Sequence, residues 1–359
     1  MRKYYLDNIR WVTVCLVVVY HVVYMFNGVA VDGVLGPFTQ PQYQDALQYL
    51  LYPWFMVLLF IVAGMCSRYY LETHTLGEFI RSRTRKLLVP STIGLLAVGW
   101  VQGYVNMAIS GAFNSIPDTV PGIAMYFIMV LSGTGVLWFI QMLWLFSMLL
   151  AAVRRFETGR LYGLTRGTGM AVLILLVIPV YLSGLVLNTP VICVYRFGIY
   201  GFTFFLGYFL FAHDEVIERL GKYSLPLLAA AAVLGAAYLL LHFGDNYAVM
   251  PVVNCVPAVA YAWTACLAAL GCMKRRGDTM TKFSAFMSKR SFGLYVLHYL
   301  PLSASAYALR QYTALPALPS YLIVTLAAFG GSLVLYEMIS RIPLLRWCVL
   351  GLRKEKPHA

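Results

Sequence analysis

The sequence predicts an all-α, polytopic membrane protein, and three observations carry that prediction. Of 359 residues, 61% are hydrophobic and 11% charged, and mean hydropathy is +0.75. A soluble domain is roughly 45–50% apolar and about 25% charged. The apolar residues also gather into stretches close to the ~20 residues a helix needs to cross the hydrocarbon. Finally, Lys and Arg concentrate in alternate loops between those stretches. Together these exclude a soluble enzyme, a disordered chain and a secreted disulfide scaffold.

Ten spans are expected, at about 11–27, 46–66, 88–110, 135–153, 169–187, 198–212, 225–242, 251–272, 291–310 and 320–340. The sixth is short. The stretch 122–131 is apolar but too short to cross alone, so it is re-entrant, interfacial, or part of a longer fourth element. The first stretch carries Asp7 and Arg10 at its start and no small-residue cleavage site after it, unlike a signal peptide. The loops are short and no repeat of 20–50 residues is visible, so residues 1–359 are expected to form one transmembrane domain.

The basic residues test the count. With ten spans, the N-terminus, loops 67–87, 154–168, 213–224 and 273–290 and the tail share one side and hold 25 of the 27 Lys and Arg. Only Arg196 and Arg310 fall opposite. One misplaced span would scramble that alternation. Basic loops stay on the cytoplasmic side, so both termini are predicted there, in a multi-pass protein of the inner (cytoplasmic) membrane. The net charge of +13 is then an orientation signal and not a nucleic-acid footprint.

Cysteine and histidine spacing indicates neither a metal site nor redox chemistry. No C-x-x-C, H-x-x-x-H or Cys/His ligand spacing occurs, so no metal is expected. Only Cys193 and Cys255 fall near the outer face, and two free thiols are favoured there over a disulfide.

Ionisable residues inside a span cost several kcal/mol by most scales and default to functional candidates. His21 lies eleven residues beyond Arg10, roughly 16 Å deeper at about 1.5 Å per residue. His298 lies eight residues beyond Arg290, roughly 12 Å from the same face. Two imidazoles entering from one side to similar depth can line one cavity. A lone helical His can equally bond a neighbouring carbonyl, and for His298 the two readings weigh alike. Glu337 is expected to pair with Arg341, four residues on. Asp7, Arg10 and His21 share one helical face, making a polar stripe on an apolar helix.

That stripe is where the chain becomes recognisable. Tyr5-Leu6-Asp7-Asn8 followed by Arg10, ten residues and His21 resembles the start of the acyltransferase-3 family of integral membrane acyltransferases. Further matches follow in order. Arg83 to Pro90 is similar to the family's R-x-x-R-L-L-x-P, with Lys86 at the second Arg. Phe60 to Gly64 is similar to F-x-I-S-G, with Ala63 for Ser. Leu137-Trp138-Phe139, Phe205 to Tyr208, and Ser291 to His298 are similar to L-W-F, F-x-x-G-Y and S-x-x-x-Y-x-x-H. Glu337, Arg341, Pro343 and Arg346 complete the set.

The resemblance implies transfer of an acyl group, most often acetyl, from cytosolic acyl-CoA to a hydroxyl of an envelope carbohydrate on the far side. Acyl-CoA is then a donor substrate and no cofactor is permanently bound. An imidazole with an ordinary pKa of about 6.5 suits proton removal from a hydroxyl. His21 is therefore the expected general base, or alternatively a nucleophile carrying the acyl group. Arg10 orients the stripe, neutralises Asp7 or binds donor phosphate, and His298 joins the same cavity. Thr75 to Glu78 fits a capping box. The helix it starts would stack Arg81 on Arg85 and Arg83 beside Lys86, a basic face suited to CoA phosphates, though the positive-inside rule alone would also place charges there. Trp138, Arg196 and Tyr295 are the expected acceptor contacts, with Trp138, Arg196 and Tyr43 beside outer loops 28–45 and 111–134. Two other readings fit the same composition: a glycolipid or sugar transporter or flippase, and a member of the separate membrane-bound O-acyltransferase group. The former usually shows repeats, and the N-terminal R-x10-H pattern sets the chain apart from the latter.

Overall fold

The structure is a computed structural model that describes residues 2–29, 33–188 and 195–352. Among these residues the regular structure is helical, apart from one isolated bridge between Asn188 and Arg196. Seven helical stretches among them are long and apolar enough to cross a membrane: Tyr4–Tyr24, Tyr43–Leu71, Leu76–Ser110, Gly135–Val153, Ser224–His242, Val256–Arg276 and Ala317–Arg341. Each coincides with a predicted span. The predicted spans 169–187 and 198–212 are shorter apolar helical stretches, Met170–Ser183 and Phe197–Phe211.

Two predicted spans are interrupted, and proline is the reason. The stretch 291–310 divides into helices Lys282–Leu297 and Tyr299–Tyr312, with His298 at the joint. Pro301 has no N–H to return to the Leu297 carbonyl, so the ladder opens beside the histidine. The stretch 169–187 likewise divides at Leu176 into Met170–Leu175 and Val177–Ser183, because Pro179 leaves the Leu175 carbonyl without its donor. The apolar stretch 122–131 is helix Gly122–Ser132, about 16 Å long and well short of the ~30 Å hydrocarbon.

The chain gathers into two compact units. One takes the described residues of 1–16, 46–80 and 145–289, the other those of 17–45, 81–144 and 290–359. In the first, helices Phe55–Leu71 and Phe197–Leu206 touch backbone to backbone. A Cβ on Gly64 would collide with the Phe204 carbonyl oxygen, and one on Gly207 with that of Ile61. The glycines of two of the motifs therefore serve close helix packing, as small residues do where helices cross in lipid. Phe60, stacked on Tyr200 at 4.8 Å, and Trp263 lie in this core.

In the second unit, helices Leu95–Ser110 and Gly122–Ser132 cross equally closely at Gly103, whose Cβ would collide with the Met129 carbonyl. Helix Tyr299–Tyr312 runs against Ala317–Arg341. Glu337 on the latter pairs with Arg290 at 2.7 and 3.1 Å, which replaces the expected pair with Arg341. Reach across to a neighbouring helix lets one guanidinium place two N–H groups on one oxygen, which a partner one turn along the same helix does not match.

Candidate active site

His21 and His298 meet in the second unit. His298 is fully buried, and its Nε2 lies 3.2 Å from His21 Nδ1, with the ring centroids 5.1 Å apart. Each imidazole is also held by its own helix. His298 Nδ1 lies 2.8 Å from the Tyr295 carbonyl oxygen and 3.2 Å from that of Leu294. His21 Nδ1 lies 2.8 Å from the Val17 carbonyl oxygen.

These partners assign the tautomers. A carbonyl oxygen only accepts, so Nδ1 of His298 must carry a proton, and in the neutral ring Nε2 is then an acceptor. That acceptor faces His21 Nδ1, which also faces the Val17 carbonyl. Both contacts are satisfied when His21 Nδ1 is the donor. The basic lone pair of His21 then sits on Nε2, the atom that neither contact engages. The Tyr299 ring stands edge-on to His21 at 5.3 Å. Tyr299 is a wall residue that sequence reasoning missed. Its one signal is its place directly after His298 and two residues before the helix-breaking Pro301.

Tyr295 does not face an open surface. It is 4% exposed and its hydroxyl donates to the Val136 carbonyl. It thereby ties helix Lys282–Leu297 to the turn Gly135–Leu137, directly before Trp138. Trp138 is half-buried at the start of helix Trp138–Val153, in the same unit as the histidines.

The polar start of the first helix belongs to the other unit. Asp7 accepts from Arg2 at 2.8 Å and from Arg10 at 3.5 Å. The Arg10 side chain is half exposed, so its pair with Asp7 is screened by water. About three turns along the helix separate it from His21, so the expected stripe is two polar clusters on one helix. Asn8, 6% exposed, donates to the carbonyls of Gly277 and Thr279 at 2.6 and 2.8 Å and accepts from Trp11 at 2.8 Å. Asp7 also lines a cavity of about 850 Å³ with Tyr162 and His213. The cations lining it, Arg2, Lys3 and Arg166, are paired with Asp7, Asp214 and Glu215.

The predicted capping box is present. The Thr75 N–H donates to Glu78 Oε2 at 2.8 Å, and the Glu78 N–H to Thr75 Oγ1 at 3.3 Å. The α register it starts ends at Arg83. Residues Thr84–Leu88 and Pro90–Gly94 form wider turns, in which the Val89 N–H reaches back five residues to the Thr84 carbonyl. Pro90 leaves the Lys86 carbonyl without its α-helical donor. Arg85 and Lys86 thus lie in the wider turns, directly after the α-helical segment that carries Arg81 and Arg83. Arg81 and Lys86 are exposed, Arg83 and Arg85 half-buried, and the buried Nε of Arg85 has no partner.

The outer loop 28–45 and the expected acceptor contact Arg196 make their hydrogen bonds within the protein. Asp45 is buried, accepting from the Gly28 N–H and the Gln42 side chain at 2.8 and 2.9 Å, so it braces its own loop. Arg196 is 3% exposed in the first unit, and donates to Asn254 at 3.0 Å. Tyr43 is 74% exposed. Asp32 and Cys193 lie outside the described residues. The Cys255 sulfur lies 3.4 Å from His242 Nε2.

A family model described as an acyltransferase domain matches residues 3–337. No curated protein and no solved structure matches. The family match takes in both histidines, the Arg83–Pro90 segment and Glu337, in an all-α chain with seven membrane-length helices among its described residues. The chain therefore belongs to the acyltransferase-3 family and is a multi-pass membrane acyltransferase.

Proposed function

We propose that this protein is an O-acyltransferase that moves an acyl group, acetyl first among candidates, from cytosolic acyl-CoA to a hydroxyl of an extracytoplasmic envelope carbohydrate. The observation that carries the reading is the His21–His298 contact, which leaves the His21 lone pair on Nε2. In the reaction, Nε2 takes the hydroxyl proton as the oxygen attacks the thioester carbonyl carbon. An ester C–O bond forms, the C–S bond breaks, and the proton passes from His21 to the departing CoA sulfur. His298 acts on His21: its Nε2 accepts from Nδ1–H, and that bond strengthens when His21 becomes an imidazolium. The same lone pair also suits a step in which His21 attacks the thioester and carries the acyl group.

Donor phosphates are assigned to Arg81, Arg83, Arg85 and Lys86, where Arg85 retains an unpartnered buried N–H. The charge-paired cavity beside Asp7 suits them less. The 25-to-2 distribution of basic residues supports an inner-membrane orientation with this segment at the cytoplasmic face. Trp138 remains the candidate acceptor contact nearest in sequence to the histidine unit's Gly135–Leu137 turn. Purified protein incubated with radiolabelled acetyl-CoA and an envelope glycan fraction tests the proposal. Label is expected in the glycan with wild-type protein, and none with His21→Ala at equal CoA affinity. Undiminished transfer by the folded mutant would remove His21 from the mechanism.

A further inference from the structure

We infer that the crevice beside the histidine pair receives the acyl chain and limits its length to a few carbons; this rests on the acyl-transfer reading above. The crevice lies within the second unit, is partly open, and has a volume of about 80 Å³. Its walls come from Val98 on helix Leu95–Ser110, from Val136, and from Leu297, Tyr299 and Leu300 around the helix break. Leu297 and Tyr299 flank His298 in sequence, and the Tyr299 ring contacts His21 at 5.3 Å. One ring therefore separates the crevice from the proposed base.

Chemistry and size together select the occupant. Most wall residues are apolar, and the Gln102 amide at one side is engaged with Asn106 and Ser303 at 2.8 and 3.0 Å. A space of this kind takes hydrocarbon and does not attract a sugar or a phosphate. At about 80 Å³ the crevice is far smaller than the roughly 300–1,000 Å³ of a drug-sized ligand pocket. That suits a short acyl chain and is far below a fatty acyl chain. Pro301 sits directly after Leu300, where it removes one backbone donor from the helix beside the space. Tyr295 secures the opposite wall through the Val136 carbonyl.

The test uses the full chain in lipid nanodiscs and equilibrium binding of free CoA and of acetyl-, butyryl-, hexanoyl- and octanoyl-CoA. Wild-type protein should gain about fourfold in affinity per added methylene up to a short limit, then lose it by octanoyl. Val98→Phe fills the crevice and should erase the gain from acetyl to butyryl, with free CoA unaffected. Leu300→Ala enlarges it and should move the limit toward hexanoyl, which keeps the test decisive if the phenylalanine variant does not fold. CoA binding with an unchanged chain-length profile in the folded variants overturns the crevice assignment alone. Absence of any CoA binding to wild-type protein overturns the donor reading and the crevice with it.

Discussion

His298→Phe should slow acyl transfer by about one to two orders of magnitude without disturbing the site's shape. Phenylalanine retains a ring of similar size against His21, Tyr295 and Tyr299, whose centroids lie 5.1, 6.2 and 6.3 Å from that of His298. It removes the Nε2 acceptor 3.2 Å from His21 Nδ1. The Val17 carbonyl still holds that proton at 2.8 Å, so His21 keeps its tautomer and the loss is bounded. Two hydrogen bonds disappear: that of His298 Nδ1–H to the Tyr295 carbonyl, which bears on stability, and that from His21, a group charged only after proton transfer, which is worth about 1.5–3 kcal/mol to the reaction. Converted to rate, this is about 10- to 150-fold in kcat, with KM for acyl-CoA little changed. Release of free CoA thiol, followed per folded molecule in detergent or nanodiscs, measures it. His21→Ala should cost more, and the double mutant should be no slower than His21→Ala alone. Wild-type kcat in folded His298→Phe would refute the positioning role. A loss as deep as that of His21→Ala would instead make His298 the base.

Further expectations concern the donor site and the first helix. Glu substitution of both Arg83 and Lys86 should weaken acyl-CoA binding by about 10- to 100-fold, and the difference should shrink between 0.05 and 0.5 M salt, since exposed charge pairs are screened over about 10 Å at 0.1 M. Equal affinity across that range would confine the cluster to setting orientation. Asn8→Ala removes three hydrogen bonds from a buried position and should destabilise the fold by about 3 kcal/mol, read as a lower thermal midpoint. An unchanged midpoint would show that water replaces those bonds.

The sequence and the structure disagree where backbone hydrogen bonding changes register. The spacing of Arg81 to Lys86 reads as plain α-helix, whereas the segment after Arg83 opens into wider turns ahead of and after Pro90. Hydropathy over 291–310 does not register a missing N–H, yet Pro301 leaves the Leu297 carbonyl without its donor and divides the regular helix at His298. Glu337 reads as a partner of Arg341 because spacing reveals only neighbours on the same helix. The Gly64 and Gly207 motifs are legible as sequence, but their reason, two backbones in direct contact, is a property of the packed pair.

By itself the sequence determined that this chain is helical and membrane-embedded, which family it resembles, and which two imidazoles are candidates for chemistry. Those conclusions rest on local quantities: hydropathy over ~20 residues, charge between spans, and motif order. Only the tertiary structure decided that His21 and His298, 277 positions apart, share a hydrogen bond, and which nitrogen of His21 keeps its lone pair. A tautomer depends on the acceptors that surround the ring, and one of those acceptors arrives on another helix when the chain folds.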